Sequence, residues 1–199
     1  MYHFFVEPHQ IGAEEIRIEG ADVNHIRNVL RMKPGEEILI SSREGGDYFC
    51  CVEELEPEYV SAKILEEREN NELPARIHLF QGLPKGDKME LIIQKAVELG
   101  AYRVIPVSMK RSVVKLDAKK ADAKGKRWNA VSESAAKQSK RSLIPEVAPL
   151  MVYKEAVKEA AGYDMVLLPY ESADGIRKTR ELLASVKPGT DIAVFIGPE

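Results

Sequence analysis

Two cysteines are all the chain contains, and they are neighbours, Cys50 and Cys51. Adjacent residues of a strand face opposite sides, and bridging them strains the disulfide. They also lack metal-ligand spacing, so both are expected as small packed residues. The four histidines, His3, His9, His25 and His78, are scattered without zinc spacing and read as packed or surface side chains. No G-x-G-x-x-G follows a strand, no G-x-x-x-x-G-K-[ST] occurs, and "GLPKGDK" has neither spacing. A serine-hydrolase elbow is missing as well. No apolar run approaches the roughly 18–20 residues of a membrane span. The opening "MYHFFVEPHQ" meets Glu7 and Pro8 too soon for a signal peptide. These absences disfavour common nucleotide and metal chemistries and leave a cytoplasmic protein with no membrane partner and no metal.

Charge is present in quantity but unevenly spread. The chain's net charge is −3, yet 110–141 holds eleven Lys/Arg against three Asp/Glu, whereas 1–73 holds seventeen acidic residues against seven basic ones. Such a block is the footprint of an anionic partner, most often nucleic acid. A lysine-rich solvated helix face gives the same composition without any partner.

Periodicity changes along the chain. "IRIEG", "EEILISS", "DYFCCVEEL" and "YVSAKILEE" are short β-prone runs separated by Gly, Pro and Asn. One helix, "ADVNHIRNVLRM", interrupts them; Val23, Ile26, Val29 and Leu30 share its apolar face, and Asp22 is the expected N-cap. A small β-barrel is the natural reading of residues 1–72. After "ERENNELP", strands "RIHLF", "YRVIPV", "DMVLL" and "DIAVFI" alternate with helices, and their continuous apolar runs predict a parallel sheet covered on both faces. Residues 73–199 are therefore α/β. The helix "DKMELIIQKAVELG" carries a capping-box pattern in Asp87 and Glu90 and a stop at Gly100.

Ligands of open α/β sheets bind beyond the carboxyl ends of the strands. There the sequence places Lys85, Lys88, Arg111 and Lys115 on one side of the inventory and Glu171 and Glu199 on the other. That division suits an anionic polymer beside a polar, partly cationic small ligand. In "KRWNAVSESAAKQSKR", Trp128, Val131 and Ala135 form the expected buried stripe, while Ser134, Gln138 and Arg141 form a polar stripe ending in a guanidinium. The small residues between them would admit a base or a tightly packed neighbouring helix. Arg27 and Arg31, four apart, could grip phosphates or simply be solvated.

Five stretches, "HIRNVLRMKPGEEI", "GLPKGDKMELIIQKAVELGA", "RSVVKLD", "KRWNAVSESAAKQSKRSLIPEV" and "FIGPE", resemble in order the bacterial ribosomal small-subunit RNA methyltransferase E family. The resemblance implies a PUA-like barrel that binds RNA, followed by a SPOUT-type domain tied in a trefoil knot, in a homodimer. It implies S-adenosylmethionine at the knot and methylation at N3 of one uridine of 16S ribosomal RNA in the small ribosomal subunit. By position it places Leu168, Tyr170, Glu171, Ile196, Gly197, Pro198 and Glu199 beside the cofactor. Arg141 falls near the reaction centre as the catalytic cation, with Gln138 beside it, and Arg27 and Arg31 fall on the RNA-facing helix. "KRW" and "ESAAKQS" depart mildly from the family's pattern.

The larger departure is the end. In the family, Gly-Pro-Glu runs on into Gly-Gly, a helix, a strand and a Leu-Gly-x-Arg-Ile-Leu-Arg segment that closes the knot. The resemblance therefore implies a SPOUT domain lacking its C-terminal part, and weak or absent cofactor binding by residues 1–199 alone. Two rival readings are a non-catalytic RNA-binding protein that has lost its cofactor, and a basic block that is only a solvated face.

Overall fold

The structure is a computed structural model that describes residues 1–43, 46–110, 116–170 and 177–198. It divides into two compact units, Met1–Glu72 with Ala136–Ile144, and Leu73–Ala135 with Pro145–Glu199. The return of Ala136–Ile144 to the first unit is absent from the linear division 1–72 and 73–199.

In the first unit, β1 (Tyr2–Val6), β2 (Glu15–Glu19), β3 (Glu37–Ser42), β4 (Asp47–Leu55) and β5 (Tyr59–Arg68) form one sheet in the order β1-β3-β4-β5-β2. β1 runs parallel to β3, and the other pairings are antiparallel. Four of these strands follow the expected β-prone runs. β1 was not foreseen, because four consecutive buried residues, His3 to Val6, hide the alternation. β1 and β2 are the two edges, so the small barrel expected is formed as a half-barrel. Phe4, Ile16, Ile18, Ile38, Ile40 and Val60 fill its concave side. Cys50 is fully buried in that core and Cys51 half-buried on the other face, both as free thiols. Burial pushes the Cys50 thiol up to about 12, which makes it inert.

The expected helix at 21–32 is shorter and irregular. α1 (Ala21–Asn24) passes into a π-helical turn, His25–Val29, and the helix ends there. The wider turn buries Val23 and Ile26 but turns Val29 outward, 64% exposed. Gly20 takes the N-cap position without a side-chain cap, while Asp22 pairs with Lys137 at 3.2 Å.

In the second unit, β6 (Arg76–Gly82), α2 (Lys88–Glu98), β7 (Arg103–Ser108), α3 (Ala118–Ser139) and β8 (Glu146–Val147) come first. β9 (Met151–Val152), α4 (Tyr153–Ala160), β10 (Met165–Leu167), α5 (Arg177–Ala184) and β11 (Asp191–Ile196) follow. The sheet order is β10-β11-β6-β7-β8 with every pair parallel, as the apolar runs predict. The chain lays β7 and β8 on one side of β6 and later returns to lay β11 and β10 on the other. The switch point of the sheet is therefore between β6 and β11, where Phe80 and Phe195 stack at 4.6 Å.

On α2, Met89, Ile93 and Val97 are the buried stripe at i, i+4 and i+8. Asp87 is the N-cap residue, but its side chain makes no cap bond, and Glu90 instead holds Arg127 at 2.8 Å. Gly100 stops the helix at φ 98°, and a Cβ there would lie 2.7 Å from Leu73 Cδ1. On α3, Trp128, Ser132 and Ala135 are buried, whereas Val131 is only half-buried. A polar residue can take that place because Ser132 Oγ donates to the Pro145 carbonyl at 2.5 Å.

At the opposite, amino end of β6 and β11, Arg76 donates two bonds to Asp191 at 2.7 and 2.6 Å, and His78 Nε2 meets the same carboxylate at 2.8 Å. The bond from Arg76, with a smaller one from His78, holds the Asp191 carboxyl well below its ordinary value of 3.8. A carboxylate with a depressed folded-state pKa stabilises the fold above its unfolded value, and that contribution fades as pH falls below it. Asp191→Asn is therefore expected to lower stability at neutral pH and to flatten the loss of stability between about pH 4 and pH 2. Urea midpoints across that range measure it; an unchanged acid slope would contradict the linkage.

Candidate active site

The carboxyl ends of β6 and β11 are joined by one buried side chain. Gln81, 3% exposed, donates from Nε2 to the carbonyls of Gly82 and Gly197, both at 2.9 Å. The Gly197–Pro198 turn is thereby fixed over the end of β6. Gly82 permits the close approach: a Cβ there would stand 2.9 Å from the Pro198 nitrogen and 3.0 Å from Met109 Sδ. No other residue type fits without moving the turn.

Beside this junction opens a cavity of about 540 Å³, walled by Met109, Lys110, Tyr153, Leu168, Phe195, Ile196, Gly197 and Pro198. Its walls come from the ends of β7, β10 and β11 and the start of α4. A smaller apolar cavity of about 260 Å³ shares Tyr153, Leu168 and Phe195 with it. Among the described lining residues Lys110 alone is charged. The enclosure suits a small ligand with a broad apolar part and an anionic group, within the size range of small-molecule sites, roughly 300–1,000 Å³.

Of the residues placed beside a cofactor by sequence, Leu168, Ile196, Gly197 and Pro198 meet around this one cavity. Tyr170 is 68% exposed and is not part of the wall. Glu171 and Glu199 lie outside the described residues, as do Arg111 and Lys115. Lys85 and Lys88 are exposed, between β6 and α2 and at the start of α2. Met109, Lys110, Tyr153 and Gln81 were missed. Gln81 had a signal, a lone polar residue in the apolar run "HLFQG" immediately before the strand ends; the other three carry none.

The remaining candidates are in the first unit. Arg27 is half-buried within the π turn, while Arg31 lies past the helix end, exposed and at φ 53°. The two do not share a helical face as their spacing predicts. Gln138 is exposed in the last turn of α3. Arg141 does not continue that helix, because α3 ends at Ser139 and Lys140 turns left-handed at φ 56°. The turn sends Arg141 inward to 8% exposure. There Glu72 takes its Nε at 2.9 Å and also its Nη2, and accepts the Ser142 N–H at 2.8 Å.

Among the described residues, no group of three or more His, Cys, Asp or Glu could hold a metal ion, and no helix is long and apolar enough to cross a membrane.

Residues 71–199 match the RNA methyltransferase domain family, and residues 18–65 match the RNA methyltransferase PUA domain family. The parallel-sheet unit with its switch-point cavity and the half-barrel unit thus correspond to an RNA methyltransferase.

The chain is 36% identical to the ribosomal RNA small subunit methyltransferase E of Bacillus subtilis, over 100% of its own length and 80% of that protein. It superposes on the Neisseria gonorrhoeae ribosomal RNA small subunit methyltransferase E bound to S-adenosyl methionine with a TM-score of 0.77 and 30% identity, covering 100% of this chain and 80% of that one. A Legionella pneumophila methyltransferase in complex with the cofactor SAM gives 0.80 and 26%, with the same coverage. The chain belongs to the ribosomal RNA small subunit methyltransferase E family.

Proposed function

We propose that the protein transfers a methyl group from S-adenosylmethionine to N3 of one uridine of 16S ribosomal RNA. In this reading it acts in the cytoplasm as a homodimer, and its second unit is of the knotted SPOUT type. The observation that carries the proposal is the cavity at the β6/β11 switch point, closed by the Gly197–Pro198 turn. Its residues fit the cofactor. Leu168, Ile196 and Phe195 offer apolar walls to an adenosyl group, and Lys110 offers a cation to an amino-acid carboxylate. Tyr170, Glu171 and Glu199 complete the proposed cofactor set.

When bound, the sulfonium supplies an electrophilic methyl group, so the protein's work is alignment, exclusion of water and management of charge. Gln81 holds the turn that frames the cavity, and the apolar wall keeps water from the donor. Uracil N3 carries a proton that must pass to bulk water before N3 can take the methyl group and the S–CH3 bond break, and a fixed cation stabilises the anion in between. Arg141 is proposed for that role, with Glu72 setting the orientation of its guanidinium. Arg27, Arg31, Lys85, Lys88, Arg111, Lys115 and Gln138 are the proposed RNA contacts. Since N3 lies on the Watson–Crick edge, the uridine must be unpaired.

Calorimetric titration with S-adenosylmethionine, followed by mass-spectrometric mapping of methylated small-subunit RNA, tests the proposal. Binding heat and a methyl group at N3 of one uridine are expected. RNA binding without cofactor heat would leave the non-catalytic reading. Arg27→Ala with Arg31→Ala is expected to weaken RNA binding and reduce its salt slope by up to about 2; an unchanged slope would remove these arginines from the interface.

A further inference from the structure

The π turn His25–Val29 gathers four exposed side chains on one face of the first unit: Asn24, His25, Asn28 and Val29. Its backbone closes from the Leu30 N–H to the His25 carbonyl at 2.9 Å, one residue wider than an α-helical turn. Positions four and five apart therefore come to the same side. Regular α-helical spacing would put Val29 on the apolar face with Ile26; here it is 64% exposed among polar neighbours. Such turns are rare, and where they occur they frequently mark functional sites.

The polar groups on this face are arranged. Asn28 Nδ2 donates to Asn24 Oδ1 at 2.7 Å, which uses one of its two amide hydrogens and restrains the amide. Asn28 Oδ1 and the second N–H have no partner among the described residues, so the amide presents one acceptor beside one donor to solvent. The exposed His25 ring meets the buried Phe4 ring edge to face at 6.5 Å, which steadies it.

Charge distinguishes the face as well. In this acidic unit Arg17, Arg43, Arg68, Lys137 and Arg141 each pair with a carboxylate. Arg27, Arg31 and Lys33 have no ion-pair partner among the described residues. Asp22, the one carboxylate between Ala21 and Met32, is held by Lys137 through both oxygens at 3.2 Å. Free cations thus flank the Asn24–Asn28 pair, and the nearest acidic side chain along the helix is neutralised.

We infer that this face reads one unpaired adenine of an RNA strand. The adenine amino group donates to Asn28 Oδ1, and a ring nitrogen accepts from Asn28 Nδ2. The base lies against the His25 ring and Val29, while Arg31 and Lys33 hold the neighbouring phosphates. An asparagine amide matches adenine in this two-bond manner, and sequence-reading RNA surfaces take bases that are free of a helix. The choice of RNA rests on the methyltransferase reading above; the choice of adenine rests on the Asn28 amide.

The probes are three short single-stranded oligouridines that differ only in the central base: adenine, purine, which lacks the amino group, or uracil. Protein labelled with ¹⁵N in its asparagine side chains is titrated with each. The Asn28 amide resonances are expected to move to saturation with the adenine probe, which binds about tenfold more tightly than the other two. Asn28→Ala should erase that preference and leave affinity for the uracil probe unchanged. Asn24→Ala frees the Asn28 amide to rotate and should cut the preference to about threefold. Lys33→Ala should weaken all three probes alike and lower the salt slope by about 1. All three side chains are exposed, and thermal denaturation checks that each variant stays folded. Equal affinity for the three probes overturns the inference, as does an unmoved Asn28 amide or a preference that survives Asn28→Ala. Methyl transfer to small-subunit RNA is followed in the same protein. Transfer without the Asn28 shift removes the adenine site alone, whereas the shift without transfer counts against the proposed reaction alone.

Discussion

Replacing Glu72 by alanine is expected to destabilise the first unit by about 3–5 kcal/mol, because it removes the carboxylate that pairs with the buried Arg141 guanidinium. The side chains of Arg141 and Glu72 are only 9% and 14% exposed, so solvent screens their interaction little. Glu72 also accepts the Ser142 N–H at 2.8 Å, so the truncation strands a backbone donor at the same time. Against a typical total of about 5–15 kcal/mol, that is a large part of the unit's stability. Hydrogen exchange of amides in β4 and β5 measures it locally, without assuming that both units unfold together. Replacing both partners by leucine is expected to recover most of the loss, since an apolar pair of similar volume has no charge to desolvate. Equal protection in Glu72→Ala and the unsubstituted protein would show that the pair contributes nothing. The double variant also separates stability from chemistry: folded protein without methyl transfer supports Arg141 as the stabilising cation, whereas full transfer removes it from that role.

Gly82→Ala is expected to weaken cofactor binding at least about tenfold, and turnover by about 10²-fold, while the unit stays folded. The added Cβ would sit 2.9 Å from the backbone nitrogen of Pro198, a distance real Cβ atoms essentially never show, and Pro198 cannot rotate away as a flexible side chain can. The Gly197–Pro198 turn must shift, and displacements of that size at a reacting geometry cost such factors. Calorimetry with S-adenosylmethionine, alongside thermal denaturation of the same sample, distinguishes a moved turn from a lost fold. Unaltered affinity would mean that the turn does not border the cofactor. Gln81→Leu is the companion variant, removing the bond to the Gly197 carbonyl without adding bulk at Gly82.

What the residues revealed in advance follows from how local each signal is. The α/β alternation after residue 73 was legible because every parallel strand is a continuous apolar run, and α2 shows its buried stripe at helical spacing. The strand-end rule pointed to the tip "FIGPE", and Leu168, Ile196, Gly197 and Pro198 do line one cavity. β1 was hidden, because a strand buried at four successive positions has no alternation to read. The ends of helices were misread for a common reason. Helical spacing continues both helices on paper through Arg31 and Arg141, but the chain leaves them earlier, at a π turn and at the left-handed Lys140. The capping box at Asp87 failed because Glu90 has a distant partner in Arg127, and a distant partner leaves no mark on local sequence.

The return of Ala136–Ile144 to the first unit bears on modularity. Residues 1–72 contain all five strands of the half-barrel but not Arg141, which neutralises Glu72, nor Ser142, which donates to Asp47. A fragment ending at Glu72 would therefore expose two carboxylates whose partners are encoded some seventy to ninety-five residues downstream. The half-barrel is not a cassette that can be excised or grafted as a continuous stretch. Its completion waits until the chain has built much of the other unit, so the two parts are bound to mature in one act of synthesis.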